Sequence, residues 1–174
     1  MAKYVLYPFA IILACLLLYF YPMLAAYQQQ DQIAYNLAYQ ATTNFVDSVR
    51  NKGYITPTMY NDFMRELGSS NLYDVQMEHK AKQYNPIYED PEDAATFTGQ
   101  TDVYYDARYT DSILKTLSSG SRYYMREGDF FSVIVRNTNT TKATLMQDFL
   151  SNGYTSDPTR IYIPYGGIIL NEDY

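Results

Sequence analysis

Tryptophan is absent from the 174 residues, cysteine and histidine occur once each, and no charged side chain lies between Lys3 and Asp31. Each absence closes a class of function. A single cysteine, Cys15, set in an apolar stretch, permits neither an internal disulfide nor a thiolate metal cluster. General acid–base chemistry at neutral pH most often uses histidine, and the one available, His79, alternates with Met77 on the apolar side of an expected strand. There it packs or meets solvent, and no motif pairs it with a serine or cysteine nucleophile. Gly166-Gly167 lacks the lysine and helix start that a phosphate-cradling loop requires, and no haem-attachment pair exists. The sequence therefore reads as a non-enzyme with no cofactor and no metal. The formal charge is −6 and the basic residues are scattered, which disfavours nucleic acid and anionic lipid as partners.

Tyrosine is what the chain has instead, 21 of 174 residues. Its ring covers large area with few rotatable bonds and keeps a polar tip, which suits surfaces that meet other surfaces. Tyr35 and Tyr39 are one helical turn apart and are expected to stack.

The uncharged stretch from Tyr4 to Gln30 would extend roughly 40 Å as a helix at about 1.5 Å per residue. That exceeds the roughly 30 Å hydrocarbon core of a bilayer. Lys3 precedes it and Asp31 and Asp47 follow, so the positive-inside rule places the N-terminus in the cytoplasm and the remainder outside. Tyr4, Tyr7, Tyr19, Tyr21 and Tyr27 lie toward its two ends, where an aromatic belt forms. Met23-Leu24-Ala25-Ala26 is a poor signal-cleavage site, so the segment is expected to be retained.

After Asp31, the apolar residues Ile33, Ala34, Leu37, Ala38, Ala41, Phe45 and Val49 recur at helical spacing. Arg50 and Lys52 make a basic last turn before Gly53, a helix stop. No turn signal separates this stripe from the apolar stretch. One helix of almost fifty residues is expected, kinked or locally unwound at Pro22, whose ring removes the hydrogen bond to the Leu18 carbonyl. Three segments follow: 1–30 as an apolar helix, 31–53 as its amphipathic continuation, and 54–174 as a globular head. An apolar helix that protrudes from its own domain must lie in lipid or among copies of itself.

Thr56-Pro57 caps and opens a second helix, closed by Gly68, with Met59, Tyr60, Phe63, Met64 and Leu67 on one face. Residues 73–80 alternate as a half-buried strand, with Tyr73, Val75, Met77 and His79 on one side. Residues 130–137 and 160–170 read as further strands, and Pro164 with Gly166-Gly167 makes the last an edge strand or a turn between two short ones. Helices are expected near Thr141–Leu150, ended by Asn152-Gly153, and Thr110–Leu117. The sum is an α+β head with a mainly antiparallel sheet. Residues 88–99 read as a solvated loop; Glu89, Asp90, Glu92 and Asp93 lack the spacing of an EF-hand calcium loop. Asn139-Thr140-Thr141 is either a glycosylation site at Asn139 or a plain strand-to-helix turn.

The apolar helix from the first residues, Pro22 followed by Ala26-Tyr27-Gln28, and the amphipathic continuation into a small head resemble type IV pilins. Residues 45–80, FVDSVRNKGYITPTMYNDFMRELGSSNLYDVQMEHK, are similar to pilin-like proteins of Tad-type (Flp-type) pilus clusters of Gram-positive bacteria. The likeness covers the N-terminal half. It implies a structural subunit of an extracellular filament, held in the membrane before assembly and packed with copies of itself through its N-terminal helix. The residues expected to line that bundle are Ile11, Ile12, Leu13, Leu16, Leu17, Leu18 and Phe20, with local loss of helix at Pro22. A prepilin peptidase and an assembly ATPase are the implied partners, and Met1 is either a processed end or a start residue. Where many pilins carry a glutamate, this chain has Val5, and no other acid lies in the apolar segment. A minor pilin that never polymerises, a single-pass component of a Tad-like secretion or conjugation machine, and a membrane-tethered binding module are the alternatives.

Overall fold

The computed structural model describes residues 2–68, 71–90, 94–151 and 161–172. Met1, Glu92, Asp93, Asn152-Gly153 and Arg160, all invoked above, lie outside the described residues, as do the side chains of Tyr4 and Val5.

The first helix, α1 (Ala2–Lys52), is about 75 Å long at about 1.5 Å per residue. It runs unbroken through Pro8 and Pro22, so the local unwinding expected at Pro22 is absent. A proline removes one backbone hydrogen bond, and the turns on either side retain theirs, which is enough to hold the helical path. Gly53 ends α1 at φ +72°, its amide donating to the Val49 carbonyl at 2.8 Å. A Cβ there would sit 2.2 Å from the Asn171 carbonyl oxygen, so glycine is needed for space as well as for backbone angle.

Strand β1 (Tyr54–Ile55) leads to α2 (Pro57–Leu67), whose N-cap Thr56 accepts from the Met59 amide at 3.1 Å. Phe63 and Leu67 are buried, and Met59, Tyr60 and Met64 pack beside them, as the spacing predicts. Next come β2 (Tyr73–Tyr88), a short 3₁₀ turn (Ala94–Thr96) and β3 (Phe97–Tyr109). They are followed by α3 (Thr110–Ser118), β4 (Tyr123–Tyr124), β5 (Phe130–Asn137), α4 (Lys142–Leu150) and β6 (Tyr162–Ile168). The main sheet has the order β3-β2-β5-β6, every pair antiparallel, and β1 pairs with β4 in a second, two-stranded sheet. The fold is α+β, as expected. Pro164 does lie on an edge strand, β6, where a missing donor costs no inner ladder bond.

One face of the main sheet, with Val75, Met77, Phe131, Val133, Val135 and Ile163, packs against the second half of α1 and forms the core. Ring stacking ties three elements together: Phe45 of α1 lies 4.4 Å from Phe63 of α2, nearly parallel, and 6.3 Å edge-on from Phe131 of β5.

Two expectations are corrected. Strand β2 runs eight residues past Lys80, and β3 is a full strand from Phe97, so the loop expected over 88–99 is shorter than its sequence suggests. Residues 84–88 and all of β3 are exposed, so no buried face imposes an alternating pattern that would reveal a strand. The stripe on α1 is also rotated. Ala34, Ala38, Ala41, Phe45 and Val49 are buried, joined by Thr42 and Val46, whereas Ile33 and Leu37 are 52% and 48% exposed.

Candidate functional site

The apolar half of α1 is the part of the molecule whose surface demands a partner. None of its most apolar window is buried by the rest of the chain. Ile11, Ile12, Leu13, Leu16, Leu17 and Leu18 are all exposed, Leu17 at 63% and Leu18 at 76%; Pro22 is exposed too. Phe20 is half-buried, its ring edge-on to Tyr19 at 6.2 Å. Because these residues occupy consecutive positions, they cover every side of the helix rather than one face. The segment is long and apolar enough to cross a membrane.

The head takes hold of α1 where its first acid appears. Asp31 accepts from the Thr141 hydroxyl at 2.7 Å, and Thr141 in turn caps α4 by accepting from the Thr144 amide at 3.2 Å. One turn earlier, the Lys142 ammonium lies 5.8 Å from the centre of the Tyr27 ring. From here the stripe Ala34, Ala38, Ala41 lets the sheet approach the helix backbone closely. The Thr42 hydroxyl, buried among them, donates to the Ala38 carbonyl at 2.7 Å, so no polar group is stranded. Tyr35 and Tyr39 stack at 6.3 Å, and Tyr39 meets Tyr165 of β6 edge-on.

The far end of the docked segment is held by Arg50. Its guanidinium donates to the Ile168 carbonyl at 3.0 Å and pairs with Asp47 at 2.9 Å, and Asp47 accepts from the Tyr165 hydroxyl at 3.2 Å. Gly167 makes room for it: a Cβ there would lie 2.6 Å from the guanidinium carbon. The Leu170 amide closes the contact on the Arg50 carbonyl at 2.9 Å.

His79 does not meet solvent. It is 2% exposed and joins a buried chain of hydrogen bonds. The Tyr123 hydroxyl donates to His79 Nδ1 at 2.8 Å, and the exposed Arg108 guanidinium, paired with Asp106 at 3.5 Å, lies close enough to influence the phenol. His79 Nε2–H then donates to Asp129 at 2.9 Å, and the same carboxylate accepts from the backbone amides of Lys82 and Arg126, both at 2.8 Å. This tautomer is assigned from the partners. Burial, outweighing the pull of Asp129, lowers the His79 pKa below its ordinary 6.5, so the ring is neutral. Burial likewise raises the Tyr123 phenol, against the opposing effect of Arg108. Both ring nitrogens are occupied and sealed from water, so this cluster fastens β2 to the 125–129 turn and offers no base to a substrate. The alternation placed His79 on the inner face; nothing in the sequence pointed to Asp129, which reads as an ordinary turn acid after Gly128.

Asn139 acts as a turn anchor. Its carbonyl oxygen accepts from the Leu72 amide at 3.1 Å and its amide nitrogen donates to Asn71, also at 3.1 Å. In the 88–99 segment, Glu89 and Asp90 amides bond to Thr96, closing the turn, and among the described residues no group of three acids, histidines or cysteines is placed to hold a metal ion.

No protein-family model, curated protein or solved structure matches this chain.

Proposed function

We propose that the chain is a pilin-like structural subunit, held in a membrane by the first half of α1 and assembled with copies of itself into an extracellular filament through that same half. The observation that carries this reading is the division of α1. Its second half is clamped by the head between Asp31 and Arg50, and its first half protrudes with apolar side chains on every side. Lipid or a bundle of like helices would each remove that surface from water, and association from within lipid would depend on packing alone. In this reading a prepilin peptidase and an assembly ATPase act on the chain, and no catalysis is asked of the head.

A second reading, a single-pass tether for a binding head, is favoured by one feature. No acid lies between Lys3 and Asp31 to pair with a neighbour's N-terminus in an apolar bundle.

The test is a charge in the rod. Leu17→Lys should abolish filaments recovered by shearing cells, while the head keeps its fold by circular dichroism. Wild-type chain should dominate the sheared material by mass spectrometry. Filaments that survive Leu17→Lys would refute the bundle, and wild-type chain found only in washed membranes would favour the tether.

A further inference from the structure

The two edges of the main sheet are built differently. Strand β6 is short, carries Pro164 and two glycines, and has the Arg50 side chain laid over it. These are the devices that stop a sheet edge from pairing further. Strand β3 has 13 residues, every one exposed, with β2 as its one neighbour among the described residues and with neither proline nor lysine. A long bare edge of this kind is a template for another strand.

We infer that β3 pairs with β3 of a second copy of this chain, antiparallel and centred on Tyr105. Two observations fix which backbone groups are free. The Lys82 amide points to Asp129, away from β3, and the Met77 amide points to Thr110, on the β3 side. Odd-numbered residues of β2 therefore face β3 and even-numbered ones face β5. Lys82 lies opposite Tyr105, so Tyr105, Val103 and Ala107 turn their N–H and C=O groups outward. Pairing Tyr105 with its own copy sets Val103 against Ala107, both outward-facing, and completes the ladder. It also sets Asp102 directly across from Arg108, twice by symmetry. Moving the centre to Val103 would leave Asp102 facing Tyr104, with no opposite charge across from it. A centre at Ala107 would oppose Asp106 and Arg108 but confine pairing to residues 105–109, against 101–109 for a centre at Tyr105, so charge complementarity and ladder length together select the register. On one face, Tyr84 and Tyr105 extend an aromatic surface through the two-fold axis.

The symmetry has a consequence. The two-fold axis of an antiparallel pair stands perpendicular to the sheet. Helix α1 lies along the sheet, advancing from Tyr39 to Arg50 as it touches β6 from Tyr165 to Ile168. The rods of the two copies therefore point in opposite directions. Pairing joins heads from opposed surfaces or antiparallel filaments, not neighbours rooted side by side in one bilayer. It uses the head alone and does not depend on the filament reading.

The experiment takes the full chain in detergent micelles in a Cys15→Ser background. Tyr105→Cys should form a disulfide-linked dimer on mild oxidation, because paired Cα atoms about 5.5 Å apart lie within disulfide range. Gln100→Cys, out of register with itself, should link at least about tenfold more slowly. Adding Val103→Pro to Tyr105→Cys should remove the ladder bond at that position and suppress linking, and an edge strand tolerates the proline. Adding Asp102→Arg instead should lower the yield about fivefold by opposing like charges. Equal linking at positions 100 and 105 would mean association through the rods and would overturn the proposal. So would yields unchanged by both Val103→Pro and Asp102→Arg.

Discussion

Replacing Phe45 with alanine removes a side chain that three elements share. The ring is buried, stacked at 4.4 Å on Phe63 and edge-on to Phe131, and its α1 neighbours on the buried stripe, Ala41 and Val49, are too small to fill the space it leaves. Large-to-small changes of this kind cost about 3–5 kcal/mol, transfer and cavity together. For a chain of this size each kcal/mol lowers Tm by about 2–4 °C, so a fall of roughly 6–20 °C is expected. The control is on the same helix: Leu17→Ala removes a large apolar side chain from the half that the head does not touch and should leave Tm within about 2 °C. Thermal unfolding of the full chain in micelles, followed by near-ultraviolet circular dichroism of the tyrosines, reads both. A fall of under about 3 °C for Phe45→Ala would show that the head is not docked on α1 as described. An equal fall for Leu17→Ala would show that the first half folds back on the head, and the division of the helix would be lost with it.

His79, held neutral by burial, has a folded pKa below its unfolded value, so the unfolded state binds more protons as the pH falls. Its contribution is complete above about pH 6.5 and is lost as pH falls from there toward the folded pKa, so Tm should be lower at about pH 5 than at about pH 7.5. His79→Gln should flatten that dependence, and an unchanged slope would exclude His79 as its source. Gly53→Ala, which places a methyl group against the Asn171 carbonyl at a positive φ, should cost more than about 1 kcal/mol by chemical denaturation. A neutral outcome would mean that the 171–172 segment moves aside freely.

Where burial imposes a period, the sequence announces the structure. Thr56-Pro57 and Gly68 mark both ends of α2, and Val75, Met77 and His79 mark the inner face of β2, because each position answers to a local backbone rule or to one buried face. Legibility stops where both faces meet solvent. Past Ala81 the hairpin has no core side, so residues 84–88 and all of β3 alternate nothing, and the sequence there carries no strand signal. On α1 the stripe was legible but its centre was not. Ile33 and Leu37 look more apolar than Thr42, yet the sheet chose the line of alanines and Thr42, whose hydroxyl its own helix satisfies. The His79–Asp129 pair joins residues fifty apart in sequence, and no local rule connects them.

The exposed half of α1 sets the energetics of the molecule. Seven side chains from Ile11 to Phe20, at about 1.5–3 kcal/mol each on full burial, represent roughly 10–20 kcal/mol of drive out of water. That rivals the whole stability of a typical domain, about 5–15 kcal/mol, so leaving the rod in water is strongly disfavoured. Lipid and a sheath of identical helices satisfy this demand almost equally, since hydrocarbon tails are as apolar as leucine. The choice between them then falls to smaller terms: side-chain packing between rods, and whatever the heads add by touching one another. The head fixes the rod's point of departure, with Asp31 and Thr141 bonding where the apolar surface ends. Contacts between heads can thereby set the spacing and direction of the rods, which a featureless apolar cylinder cannot specify for itself.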